Sequence, residues 1–169
     1  MKYTNVFISF VYVAAITSAN LLVAFFGPWF SPINSLLLIG MDLSLRDKLH
    51  EAWNGDNVAL KMGSLILLAG AVSYLLNPAT GMIAIASVVA FSCAMIVDSL
   101  IYQLMIKKPN MIKMNASNAG GAATDSLLFP TIAFGSFLPE IVALQFSAKV
   151  FGGFVWSYII TKFSKGGKQ

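Results

Sequence analysis

The chain has 169 residues, of which 57% are hydrophobic and 11% charged, whereas soluble domains carry about 25% charged residues. A water-soluble core of this size cannot hide so much apolar surface, and the mean hydropathy of +0.77 points to an all-α integral membrane protein with one domain over residues 1–169. Strand-length alternation does not recur, so a barrel is not expected. The single cysteine, Cys93, lies in an apolar segment, which excludes a disulfide framework. The lone histidine, His50, has no second histidine or cysteine nearby. No metal and no cofactor is therefore expected.

Six apolar segments follow in order. The first, residues 5–26, ends at Gly27-Pro28-Trp29-Phe30, an aromatic turn suited to a membrane interface. Its opening resembles a signal peptide with small residues at Thr17-Ser18-Ala19, but the apolar run continues past Ala19 to Phe26, so it is read as an uncleaved span. The second, residues 32–45, is short for a bilayer that needs ~20 residues. It can continue through Arg46 to Trp53 as one helix protruding into the cytosol. Leu45, Leu49 and Trp53 would give that protrusion an apolar stripe, and Asn54-Gly55-Asp56-Asn57 would end it. The third covers residues 60–76 and stops at Asn77-Pro78. The fourth covers 82–106 and the fifth 115–135. The sixth begins after Pro139 and reaches about residue 163.

The basic residues fix an orientation. Lys2, then Arg46, Lys48 and Lys61, then Lys107, Lys108 and Lys113, then Lys162, Lys165 and Lys168 all fall on one side if there are six spans. The positive-inside rule makes that side cytoplasmic, with both termini there, in a multi-pass cell (inner) membrane protein. The net charge of +4 is thus used for topology, and no nucleic-acid partner is expected. The expected partners are the lipid bilayer and a small molecule; assembly into a homo-oligomer is left open.

The fifth segment carries Asp125 among Gly120, Gly121, Ala122 and Ala123, with Pro130 five residues on. A carboxylate at mid-membrane costs roughly 2.5–3.5 kcal/mol on insertion scales and rarely faces lipid. Small residues let neighbouring backbones approach, and Pro130 removes an amide donor. The segment therefore reads as a proline-broken binding element.

Helical rise places its partners. Asp98 is nine residues before Lys107, about 13 Å from the cytoplasmic edge. Asp125 is twelve residues after Lys113, about 18 Å, and Lys149 thirteen before Lys162, about 20 Å. Two acids and a base thus share one level, where each needs a partner or a polar ligand. Gln145, Lys149, Gly152 and Trp156 share one side of the sixth helix. Ala94, Asp98 and Tyr102 share one side of the fourth. Asn20 and Asn118 add amides. Asp42 and Glu140 read as interfacial, the first one turn from Arg46 and the second at a helix start. Tyr102, Phe129 and Trp156 read as packing residues.

No Walker loop, His-Glu-x-x-His or Gly-x-Ser-x-Gly motif occurs, so nucleotide hydrolysis by this chain and zinc or serine chemistry have no support. Asp98 and Asp125 as an aspartyl dyad is the enzymatic alternative. Their flanks, Ile96-Val97 and Ala123-Thr124, lack the Tyr-Asp and Gly-x-Gly-Asp contexts of intramembrane proteases. No enzyme is expected.

Ser18-Ala19-Asn20, Leu45-Arg46-Asp47, Ser117-Asn118 followed by Asp125-Ser126 and Phe129, Ile132-Ala133-Phe134-Gly135, and Lys149-x-x-Gly152 resemble the queuosine-precursor transporter family, also described as vitamin uptake transporters. The resemblance implies six helices and uptake of 7-cyano-7-deazaguanine (preQ0) or its aminomethyl relative. The chemistry is compatible. One carboxylate, Asp125 or Asp98, can accept the adjacent N1–H and amine of a deazaguanine, while the other pairs with Lys149 or carries a proton. Asn118, Gln145 or Lys149 can serve O6, and an apolar wall suits the ring. The expected substrate site is Asn20, Asp98, Asn118, Asp125, Gln145 and Lys149. Within transport, the rival is a substrate-binding subunit that needs a separate ATPase, docked through Ala15-x-x-x-Ala19.

Overall fold

The computed structural model describes residues 2–53 and 57–166, apart from the side chains of residues 2–4, 47, 51, 110, 111, 157 and 160–166. Residues 54–56 of the expected break and the tail lysine Lys168 lie outside them, as do the side chains of Lys2, Lys162 and Lys165. The described residues form six long helices. Helix α1 is Lys2–Phe26. Helix α2 covers residues 31–53 as Ser31–Asn34, a π-helical segment Ser35–Ile39, and Gly40–Trp53. Then come α3 Val58–Leu76, α4 Gly81–Leu104, α5 Asn110–Phe134 and α6 Pro139–Gly166.

Among the described residues, three helical stretches are long and apolar enough to cross a membrane: Asn5–Phe26, Val58–Leu76 and Pro78–Leu104. They lie in α1, α3 and α4. Outward-facing side chains such as Phe10, Leu67, Leu75, Ile96 and Leu100 leave half or more of their surface uncovered, as suits a lipid solvent. The three more polar helices, α2, α5 and α6, carry the buried charges.

The connections follow from their residues. Gly27 turns α1 into Pro28–Phe30 with φ +79, a left-handed conformation that glycine adopts without penalty. The Phe26 and Phe30 rings stack across that turn at 4.7 Å. Asn77 caps the next corner, its side chain accepting from the Ala79 amide, and the Thr80 hydroxyl donates to the Asn77 carbonyl.

The stripe on α2 does what its spacing implies. Leu45 and Leu49 pack with Tyr12 and Ile16 of α1 and Met62, Ile66 and Ala69 of α3, and Trp53 lies against the same cluster. Lys61 sits 5.6 Å over the Trp53 ring. Arg46 donates to the Asn118 side chain of α5 at 3.2 Å, and Lys113 lies 4.7 Å over the Tyr102 ring. These basic residues therefore gather at one end of the bundle.

Two features differ from expectation. Helix α5 runs unbroken through Pro130. Next to the lost amide, the Thr131 hydroxyl donates to the Leu127 carbonyl at 2.6 Å, the kind of local compensation that membrane helices use around proline. The irregular backbone lies instead in α2, where the π-helical segment inserts an extra residue per turn. Such segments are frequent at functional sites.

Close backbone approach holds that segment against α6. A Cβ at Gly152 would lie 2.5 Å from the Leu36 carbonyl oxygen, and one at Gly40 would lie 2.7 Å from the carbonyl carbon of Gly152. Backbone cannot step aside as a flexible side chain can. Gly152→Ala and Gly40→Ala are each expected to lower stability by about 1–3 kcal/mol through overpacking. Gly63→Ala, with open space at its Cβ, should leave stability unchanged or raise it by up to about 1 kcal/mol. Thermal unfolding in detergent measures all three, and equal losses would refute the packing argument.

Candidate substrate-binding site

A cleft with about 20 Å³ of water-accessible space lies between five of the six helices, well below the volume of a small-molecule site. Helix α1 supplies Asn20, α2 supplies Ser31, Asn34 and Ser35, and α4 supplies Ser87 and Phe91. Helix α5 supplies Asp125 and Phe129, and α6 supplies Gln145 and Lys149. The space is narrow, with room for a water or two, so a ligand enters only when the walls separate.

At its centre Lys149 is 2.6 Å from Asp125 Oδ2, both side chains being buried. The same ammonium donates to Ser126 Oγ and to Gln145 Oε1, each at 3.1 Å. An ammonium has three donors, and all three are taken. The network continues outward: Gln145 donates to Ser31 Oγ at 2.7 Å, and Ser31 donates to the Pro28 carbonyl at 2.7 Å. On the other wall Asn20 donates to Ser73 Oγ at 3.1 Å, and Ser73 donates to the Ala69 carbonyl. Asn34 donates to the Ala19 carbonyl at 2.9 Å. These bonds fix the amides and the ion pair in orientation.

Two acceptors are left over. Asp125 Oδ1 and Asn34 Oδ1 are buried and have no hydrogen-bond partner. Both residues line the cleft. Buried acceptors without partners are uncommon and call for an explanation. A ligand that offers N–H donors supplies one.

Of the six residues expected to bind substrate, Asn20, Asp125, Gln145 and Lys149 line this cleft. Asp98 and Asn118 do not. Asn118 instead accepts from Arg46. Asp98 faces the close α4–α5 contact, its Cβ 3.4 Å from where a Gly121 Cβ would be. Asp125 itself presents two oxygens, one tied to Lys149 and one open. Phe129, read as packing, lines the cleft.

Ser31, Asn34, Ser35 and Ser126 were not expected from sequence. Ser126 had a signal, since it neighbours Asp125, but its link to Lys149 crosses between helices. Asp42, read as interfacial, is 2% exposed and buried within the bundle, where α2 packs against α1 and α6. Glu140 is exposed at the start of α6, as expected. No cluster of His, Cys, Asp and Glu suited to a metal occurs among the described residues.

Comparison with known families decides the broader identity. The model of the family described as "putative vitamin uptake transporter" matches residues 3–163. The chain belongs to this family. It is thus a multi-pass membrane protein of a family of uptake transporters for small molecules. Neither the curated proteins nor the solved structures gave a match.

The ion pair gives a direct test. Lys149→Met strands a buried carboxylate, and breaking a buried pair costs about 3–5 kcal/mol. Adding Asp125→Leu removes the stranded charge and should recover most of that loss, whereas adding Asp98→Asn should not. Unfolding of the single and double variants in detergent checks this; recovery with Asp98→Asn alone would mean that the pair is misassigned.

Proposed function

We propose that the protein is a six-span uptake transporter with both termini cytoplasmic, and that its cleft binds a queuosine precursor, 7-cyano-7-deazaguanine or its aminomethyl relative. The observation that carries this reading is the pair of unpartnered acceptors, Asp125 Oδ1 and Asn34 Oδ1, in one cleft with Phe91 and Phe129. A 7-deazaguanine edge is rich in N–H donors, and its flat ring suits an aromatic wall. Its O6 needs a donor. Asn20 and Gln145 each carry two amide hydrogens, one of which is used in the bonds described. Asp125 thus reads the base while Lys149 holds it in place.

The basic end of the bundle supports the orientation with the termini inside. The reading as a subunit docked to an ATPase through Ala15 and Ala19 loses its surface, because both are buried within the chain itself. Enzyme chemistry through Asp98 and Asp125 is disfavoured too: Asp125 is engaged by Lys149, and Asp98 lines neither the cleft nor the cavity beneath it.

Expression in cells unable to make the precursor tests the proposal. With 7-cyano-7-deazaguanine in the medium, the wild-type chain alone should restore queuosine in tRNA. Asp125→Asn, which replaces one open acceptor by a donor or an uncharged oxygen, should reduce uptake at limiting substrate by about 10-fold or more, since hydrogen bonds to charged groups are worth about 1.5–3 kcal/mol. No restoration with verified expression refutes the reading, and restoration only alongside an ATPase partner favours the subunit.

A further inference from the structure

A second cavity lies on the basic-end side of the cleft, and Phe91, Asp125 and Lys149 line both. The ion pair therefore stands where the two cavities adjoin. The second is lined on its polar side by Tyr12, Asp42 and Arg46. Asp42 is 2% exposed, and its Oδ1 is buried with no hydrogen-bond partner. Nothing in the base-binding reading uses this carboxyl. We infer that the second cavity is a proton site, with Asp42 as the carrier, and that proton uptake there is coupled to opening of the Asp125–Lys149 pair. This rests on the transport reading for its purpose, though not for its chemistry.

The charges facing Asp42 come from several helices. Arg46 lies one turn along α2, Tyr12 comes from α1, Asp125 from α5 and Lys149 from α6. Helix α3 contributes Ile66, and α4 contributes Phe91, Ala94 and Met95, all apolar, with Asp98 one turn beyond Ala94 and outside the lining. Two acids and two bases sum to zero when both acids are ionised. A metal cation entering here would meet two resident cations in a very small space. A proton needs no space and removes one charge by forming an O–H bond on Asp42. With Asp42 neutral, Arg46 loses a counter-charge on its own helix and is drawn towards Asp125. It then competes with Lys149 for that carboxylate, which loosens the pair. Loss of the proton to water on the other side restores the original pairing, so each cycle moves one proton and leaves Asp42 unchanged.

The full-length protein in liposomes provides two independent readouts. Infrared titration should show a carbonyl-stretch band of a protonated carboxyl that fades as pH rises. That band should be lost in Asp42→Asn and present but shifted in Asp42→Glu. In the same vesicles an inward proton gradient should drive accumulation of labelled 7-cyano-7-deazaguanine, and Asp42→Asn should lose at least 10-fold of that accumulation while keeping exchange of preloaded label. A band that persists unchanged in Asp42→Asn overturns the proton site; if that variant does not fold, an unshifted band in Asp42→Glu overturns it equally. Accumulation by the wild type that ignores the gradient, or that survives in Asp42→Asn, overturns the coupling. If the wild type neither binds nor exchanges the base while the Asp42 band titrates, the deazapurine reading falls and the proton site stands.

Discussion

The arrangement depends on the Asp125–Lys149 pair. Charges at mid-depth in a bundle are tolerated only when paired and hydrogen-bonded, and Lys149 satisfies its three donors on Asp125, Ser126 and Gln145. That demand draws α5 and α6 together and, through Gln145 and Ser31, brings in the start of α2. Small residues serve the adjoining contacts: Gly40 and Gly152 between α2 and α6, and Gly121 between α5 and α4, stand where helices come close. Losing the pair would leave the polar half of the bundle without its organising contact.

The fold divides its work between two kinds of helix. The apolar α1, α3 and α4 face the membrane along much of their surface and carry the aliphatic core around Ile16, Leu49, Met62 and Ile66. Helices α2, α5 and α6 bury polar side chains against them. The π-helical segment Ser35–Ile39 belongs to this second group. Its Ser35 and Ile39 line the cleft while its backbone lies against Gly152. A ligand larger than the water-sized space now present must move some of these walls. The wall with irregular backbone hydrogen bonding is the one least firmly held by its own helix.

Sequence spacing revealed part of this and concealed part, for physical reasons. Helical rise converts residue number into depth, so the common level of Asp125 and Lys149 was legible from the flanking lysines. Depth carries no information about which way a side chain points around the bundle axis. For that reason Asp98, on a comparable level, was grouped with a cleft it does not line. The Leu45, Leu49 and Trp53 stripe was legible because three positions on one helix define a face. Asp42 was misplaced because its neighbour Arg46 suggested water, whereas its burial is set by the packing of α2 against α1 and α6. Asn34 and Ser35 gave no periodic signal, since the π-helical segment that starts at Ser35 shifts their register relative to the Leu45–Trp53 stripe. Pro130 marked the wrong helix as irregular: its neighbours compensate for the missing amide, and nothing local to α2 announces its extra residue.

On the proposed reading, one oxygen of Asp125 is held by Lys149 so that the other can read a donor-rich base. Equilibrium binding to the purified protein, comparing 7-cyano-7-deazaguanine with its analogue lacking the exocyclic amine, addresses it most directly. The analogue should bind about 10- to 100-fold more weakly, the worth of a hydrogen bond to a charged acceptor, and this gap should close when Asp125 is replaced by Asn. Equal affinities for the two bases, or a gap that survives the replacement, would contradict it.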